Sequence, residues 1–356
     1  MLPQYRALGL GSNLVALAES GLWIKGFMPS GESTMKSLAA IISGLPDAGV
    51  FTNYQPSGRR PFPTSIAPIF RRLGYKTRFF YGGNLSWERM AEFCEAQGFE
   101  EIYGESQITK WGRKSASNWG VKDEYLFRYV AETVTASPRS FNMIMTTSYH
   151  PPFDIDVEEA GFALREMPAE FKPLYDGKTP MRVFGHYWYA DRCLGEFVRT
   201  VEAKLQYALV AITGDHASRR FLNERPSLYE RRAVPLILHG PDVLKNVTAP
   251  PNMAGSHLDI APTLVELAAP AGFQYHSMGA NLLDPQRVQL GFGSRNIVIG
   301  PQFIFEVDRP SEVFPLPGCT LPGDSLNTSK LRDNYLAFHG LGWWRIMKGE
   351  EFPPRK

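Results

Sequence analysis

YALVAITGDH, residues 207–216, decides the fold: an apolar run stops at Thr213, and a carboxylate and an imidazole follow after one glycine. A run apolar on both faces fits a strand of a parallel sheet covered by helices on each side. In open sheets of that kind, ligands bind beyond the carboxyl ends of the strands, where Asp215 and His216 would stand. Adjacent carboxylate and imidazole groups there can both coordinate a divalent metal. A turn-capping aspartate beside a surface histidine is the plainer alternative, and for the tripeptide alone it prevails, since such short matches recur by chance.

Runs of the same texture lie at 76–81 (KTRFFY), 141–147 (FNMIMTT), 234–238 (VPLIL) and 296–299 (NIVI). Helix-like stretches separate them, at 35–43, 64–73, 86–97, 122–134, 187–204 and 258–268. Strand and helix in alternation give an α/β fold built on a doubly wound, mostly parallel sheet. The segment 35–43 (MKSLAAIIS) stops at Gly44-Leu45-Pro46, a glycine-then-proline ending. Segment 187–204 puts Tyr187, Leu194, Phe197 and Val201 on one stripe, as a covering helix would. Beyond about residue 285 Pro and Gly become frequent, strand-like pieces are short and no long helix is expected. The chain therefore divides into residues 1–284 and a small, mostly β appendage, 285–356, ending in a solvated EEFPPRK tail.

The 356 residues are 44% hydrophobic and 21% charged, enough apolar content to bury a core and to exclude disorder. Lys and Arg total 38 against 36 for Asp and Glu, without the basic excess of a dedicated nucleic-acid binder. No apolar run approaches the ~18 residues of a membrane span, and MLPQYRALGLGSN lacks the regions of a secretory signal. Cys94, Cys193 and Cys319 are too scattered for a disulfide framework or a structural zinc site, and read as packing residues.

Four further positions could carry chemistry. Thr34 opens the helix 35–43, where free N–H groups and the helix dipole favour an anion such as phosphate. A hydroxyl there, next to a metal, can ionise and attack phosphorus; otherwise Ser33 or Thr34 is an N-cap. His150, in SYHPPF, leaves the strand 141–147 toward the same rim as Asp215, its path fixed by two prolines. Arg89, in SWER, starts a helix after Gly82-Gly83-Asn84 and can clamp a phosphate with two N–H groups. His257, in SHLDIAPT, begins a helix and could reach the rim, although a lone helix-start histidine is more often structural.

In order, GESTMKSLAAIISGLP, WERMAEFCEAQGF, SYHPPF, GDH and SHLDIAPTL resemble the lipoteichoic acid synthase group, sulfatase-like phosphotransferases of the alkaline phosphatase superfamily. The similarity runs from about residue 10 to about 285. It implies an extracytoplasmic domain tethered by N-terminal membrane helices and binding one divalent ion, manganese first, with zinc, magnesium or calcium as alternatives. It also implies transfer of a phosphoglycerol-type group from a phospholipid to a glycan or glycerol acceptor through a threonine-bound intermediate. Thr34 resembles the nucleophile, with Ser33 and Ser30 as rivals, and Thr34, Asp215 and His216 resemble the metal donors. Arg89 and His150 resemble residues holding the substrate, and His257 matches a histidine of sulfatase-like relatives. A true sulfatase, a phosphoethanolamine transferase and a non-catalytic lipid- or glycan-binding relative are the alternatives.

One departure stands out. The resemblance implies a first strand ending in a glutamate that completes the metal site, ahead of residues 11–21; MLPQYRALGLG is neither such a strand nor glutamate-bearing. The expectation is a fragment, or a misplaced initiator methionine, of a membrane enzyme; a truncated relative without turnover competes with it. Glu32 is the candidate substitute ligand.

Overall fold

A computed structural model describes residues 3–109, 119–137, 139–217, 220, 222–323 and 326–349. Its strands are β1 (Leu22–Ile24), β2 (Gly26–Met28), β3 (Lys76–Tyr81), β4 (Glu101–Tyr103), β5 (Ser140–Met145) and β6 (Val210–Thr213), then β7 (Leu236–His239), β8 (Ala254–Ser256), β9 (Gly291–Gly293), β10 (Ile297–Ile299), β11 (Phe303–Glu306) and β12 (Val313–Pro315). The longer helices are α1 (Ser12–Ser20), α2 (Thr34–Ser43), α3 (Ile66–Arg72), α4 (Met90–Ala96), α5 (Asp123–Ala136), α6 (Met181–Lys204), α7 (Ile260–Ala268) and α8 (Thr328–Lys348).

The α/β architecture follows from alternation along the strands. Phe80 of β3, Ile144 of β5, Val210 and Ile212 of β6 and Ile237 of β7 pack on one cluster with α1, α5 and α6. Their neighbours Phe79, Tyr81, Phe141 and Met143 pack on the opposite side against α2, α3, α4 and α7, and Ala211, Leu236 and Leu238 meet a third cluster there. One layer of strands is thus covered on both faces, which is why its strands read as unbroken apolar runs. Cys94 and Cys193 are buried in these clusters.

Strands β4, β3 and β5 are all parallel, and so are β2 and β8. β7 differs: it runs antiparallel to β6 and to β1. Among the described residues between β6 and β7 the only helix is Leu228–Arg232, too short to carry the chain back for a parallel crossover. Strands β9 to β12 form an antiparallel sheet in the C-terminal region. The absence of a long helix beyond residue 285 is overturned by α8, a 21-residue helix. The tail 350–356 lies outside the described residues. No helix among the described residues is long and apolar enough to cross a membrane.

The layer is interrupted between β5 and β6. β5 pairs with β3 and β6 with β7, each as the last strand of its block, and both line one cavity. Every residue of both strands is half-buried, whereas all of β7 is buried. A cavity of about 2340 Å³ is lined by both strands and by Thr34, His150, Asp215 and His216.

The C-terminal sheet is locked to the rest. Arg287, almost fully buried, pairs with buried Asp259 at 2.9 Å and also donates to the Ala254 and Leu290 carbonyls. A methyl group on Gly291 would sit 2.1 Å from the Gly255 carbonyl oxygen, so only glycine allows β9 to lie against β8. Removing the cation would strand a buried carboxylate. Arg287→Leu is expected to cost about 3–5 kcal/mol in chemical denaturation, part of it recovered when Asp259→Asn is added.

Candidate active site

Thr34 is the first residue of α2, after Ser33 in an extended conformation, and no side chain caps this helix end. α2 ends where Gly44, at φ 69°, donates its N–H to Ala40, a left-handed stop that suits glycine. The helix buries Met35, Leu38, Ala39 and Ile42, so its N-terminus is held rigidly at the cavity. There the Thr34 hydroxyl donates to Asp215 Oδ2 at 2.6 Å. Asp215 and His216 leave the carboxyl end of β6 as the strand-end rule requires.

His216 Nδ1 lies 2.9 Å from the Ala217 carbonyl, which only accepts, so this nitrogen carries the proton. Its Nε2 lone pair then faces Asp215 Oδ2 at 3.5 Å. Two electron-rich atoms opposed in this way require a proton or a cation between them. The donors present therefore fit a divalent ion as a partial shell: Asp215 carboxylate, His216 Nε2 and the Thr34 hydroxyl. Among the described residues no group of three or more His, Cys, Asp or Glu converges on a metal position.

His257 lies directly below, fully buried. Its Nδ1 accepts from the Ser30 N–H at 3.2 Å, and its Nε2–H donates to the Gly214 carbonyl at 2.9 Å. The ring ties the loop before Thr34 to the loop carrying Asp215, with no nitrogen left for the cavity. Burial pushes its pKa down to about 4.

A family model described as Sulfatase matches residues 10–270. The chain belongs to the sulfatase family. The lipoteichoic acid synthase LtaP from Listeria monocytogenes is similar in fold, with 18% identity, 97% of this chain and 88% of that chain covered, and a TM-score of 0.76. A protein of the alkaline phosphatase superfamily from Vibrio parahaemolyticus has 20% identity, coverages of 96% and 83%, and a TM-score of 0.68. The phosphoglycerol transferase GacH of Streptococcus pyogenes, solved with sn-glycerol-1-phosphate, gives 12% identity, coverages of 71% and 66%, and a TM-score of 0.52.

In this sulfatase-family chain, His150 reaches the same cavity. Its ring packs on Trp119 at a tilt of 57°, with centroids 4.4 Å apart, and it donates from Nδ1 to the Pro151 carbonyl at 2.6 Å. Its loop is fixed from beneath: buried Asp123 Oδ1 accepts the Thr147 and Ser148 N–H groups, both at 3.0 Å, and Ser148 Oγ accepts the Asp123 N–H at 2.9 Å. Arg89 is not brought there. Glu88 and Arg89 turn left-handed before α4, with φ of 50° and 56°, and the guanidinium pairs with Glu92 beneath the Tyr54 ring. Trp87 and Glu88 line the cavity in its place. Glu32 pairs with Lys36 and Arg295 and is not among the residues lining the cavity. Sequence reasoning passed over Trp119 and Arg220, which also line the cavity; the position of Arg220 four residues after His216 was the available signal.

Because the folded pKa of His257 lies below the unfolded value near 6.5, the unfolded chain binds the extra proton between pH 6.5 and 4. Its contribution to stability is complete above pH 6.5 and lost as pH falls toward 4. His257→Gln, which can keep one donor and one acceptor, is expected to flatten this part of the pH dependence of Tm.

Proposed function

We propose that the chain is a metal-dependent phosphotransferase or phosphodiesterase, with Thr34 as nucleophile, acting on a phosphoglycerol-type head group. The observation that carries it is the 2.6 Å hydrogen bond from the Thr34 hydroxyl to Asp215 Oδ2, at an uncapped helix N-terminus that favours an anion. The phosphodiester phosphorus would sit at this helix end, opposite the Thr34 oxygen. As Oγ1 attacks, Asp215 Oδ2 stands in place to accept its proton, and the bond from phosphorus to the leaving alcohol breaks, the alcohol taking a proton from water. A water or an acceptor hydroxyl then attacks phosphorus, the bond to Oγ1 breaks, and Thr34 regains its proton. Asp215, His216 and Thr34 would hold the divalent ion, which supplies charge neutralisation on the non-bridging oxygens and a lowered hydroxyl pKa. His150, braced by Trp119, would contact the head group.

The relatives support this substrate class: LtaP is a lipoteichoic acid synthase and GacH a phosphoglycerol transferase. On this reading the activity lies outside the cytoplasm, with phospholipid as donor and a glycan or glycerol as acceptor. One observation favours a non-catalytic lipid- or glycan-binding relative instead, namely the lack of a third acidic or histidine donor at the metal position among the described residues.

A nitrophenyl phosphodiester assayed with manganese separates the two. The expected result is turnover that Thr34→Ala lowers at least ~1,000-fold and Ser33→Ala changes by less than ~10-fold, with nitrophenol released and the remaining phosphoester group attached to Thr34 by mass spectrometry. Absence of both turnover and manganese binding, the latter read by calorimetry, would support the binder.

A further inference from the structure

We propose that the outward face of α8 is a docking surface for an anionic bilayer. The helix would lie in the plane of the membrane surface, its apolar side chains at the boundary of head groups and acyl chains and its basic side chains against anionic lipid. The inference rests on this one helix and on no step of the phosphotransfer reading.

The inward face of α8 is settled. Tyr335, Gly342 and Ile346 are buried. The Tyr335 hydroxyl donates to the Gly293 carbonyl at 3.0 Å, and His339 Nδ1 donates to the Asp47 carbonyl at 3.0 Å. A methyl group on Gly342 would sit 2.3 Å from Pro46 Cγ, and the Ile346 carbonyl accepts from the Ser57 hydroxyl. With these contacts in place the helix cannot roll to hide its other side.

That other side is apolar as well. Leu336, Gly340, Trp343 and Met347 recur at the spacing of one helical stripe, and Ala337, Leu341, Trp344 and Lys348 form the stripe beside it. Leu336, Leu341, Trp343 and Met347 are each between 42% and 49% exposed, and no other helix or strand among the described residues exposes more than one large apolar side chain. The run from Leu336 to Met347 is roughly 16 Å long. Single exposed apolar residues are ordinary, whereas a contiguous set marks a surface that something covers.

Charge selects the occupant. α8 carries Lys330 and Arg332 near its start and Arg345 and Lys348 near its end, against one acid, Asp333. The turn Pro56–Arg59, which meets α8 at Ser57, adds the exposed Arg59, with exposed Arg60 next to it. Two copies pressed together on this face would set cation against cation whether the helices ran parallel or antiparallel, because both ends are net positive. An anionic bilayer instead offers apolar material and negative charge in one plane. Tryptophan suits that boundary, having an apolar ring with one polar N–H. No helix among the described residues is long and apolar enough to cross a membrane, so α8 would lie on the surface. Just ahead of the Pro56–Arg59 turn, the exposed rings of Phe51 and Tyr54 pack edge to face, and Phe51 also lines the cavity.

Sedimentation of the full chain with vesicles tests this, one set made of phosphatidylcholine alone and one containing phosphatidylglycerol. The expected result is binding to the anionic vesicles that weakens as salt is raised, and far less binding to phosphatidylcholine. Leu336→Ser, Trp343→Ser and Met347→Ser combined should lower the binding at least ~30-fold, and Lys330→Gln with Lys348→Gln about tenfold or more. Circular dichroism and Tm are expected to stay at the parent's values, because these side chains face solvent. Turnover of the soluble nitrophenyl phosphodiester should be the same in parent and variants, so that failure of docking and failure of the chemistry are read separately. The proposal is overturned if the anionic vesicles are not bound, or if the triple serine variant binds them as the parent does. It is equally overturned by self-association in analytical ultracentrifugation that the serine variant abolishes while vesicles are ignored, which would make a second copy the occupant.

Discussion

A neutral imidazole clamped between two backbone loops holds the centre of this molecule together. His257 takes the Ser30 amide on one nitrogen and gives the other nitrogen's proton to the Gly214 carbonyl. Those loops arrive from residues far apart in sequence, one entering α2 and the other leaving β6. This link of fixed length adds to the packing of α2 and the pairing of β6 in setting the separation of the Thr34 hydroxyl from the Asp215 carboxylate. The tie works only while the ring is uncharged, because an imidazolium offers two donors and one partner here is itself a donor. Burial enforces that state, and the geometry above the ring inherits it.

Above that tie the electrostatics are deliberately unbalanced. The Asp215 carboxylate collects the Thr34 proton on one side and faces the His216 lone pair on the other. The helix end beside them adds a partial positive charge and unfilled N–H groups. One region therefore attracts a cation and its neighbour attracts an anion, within a hydrogen bond of each other. That juxtaposition suits a phosphate diester held against a metal better than either ligand alone.

Much of this was legible in the chain. The KTRFFY run is β3 residue for residue, and Thr34 opens a helix as its spacing required. The strand-end rule put Asp215 and His216 at the rim, whereas the meeting of Thr34 with them was implied by the family resemblance. What escaped did so for physical reasons. β1 and β2 are three residues each, separated only by Lys25, too short for a period to register. α8 contains Gly340 and Gly342 and leaves Leu336, Leu341, Trp343 and Met347 exposed, so it shows no clean apolar stripe. Arg89 was placed by its motif, but two consecutive left-handed residues swing it toward Glu92. For His257 the residue pattern favoured a structural role and the resemblance a place in the site; both ring nitrogens are occupied by backbone, which sequence gives no sign of.

The bare start of α2 has an evolutionary corollary. Most helices gain roughly 1 kcal/mol from a side chain that closes their first turn, and Ser33 occupies the capping position without doing so. Selection for heat resistance alone would find an easy gain here, in any replacement whose oxygen folds back onto those amides. The same replacement would fill the seat an incoming anion needs. Robustness and reactivity thus compete for a single turn of backbone, and a thermally hardened descendant that lost its chemistry would be expected to carry its decisive change at this turn.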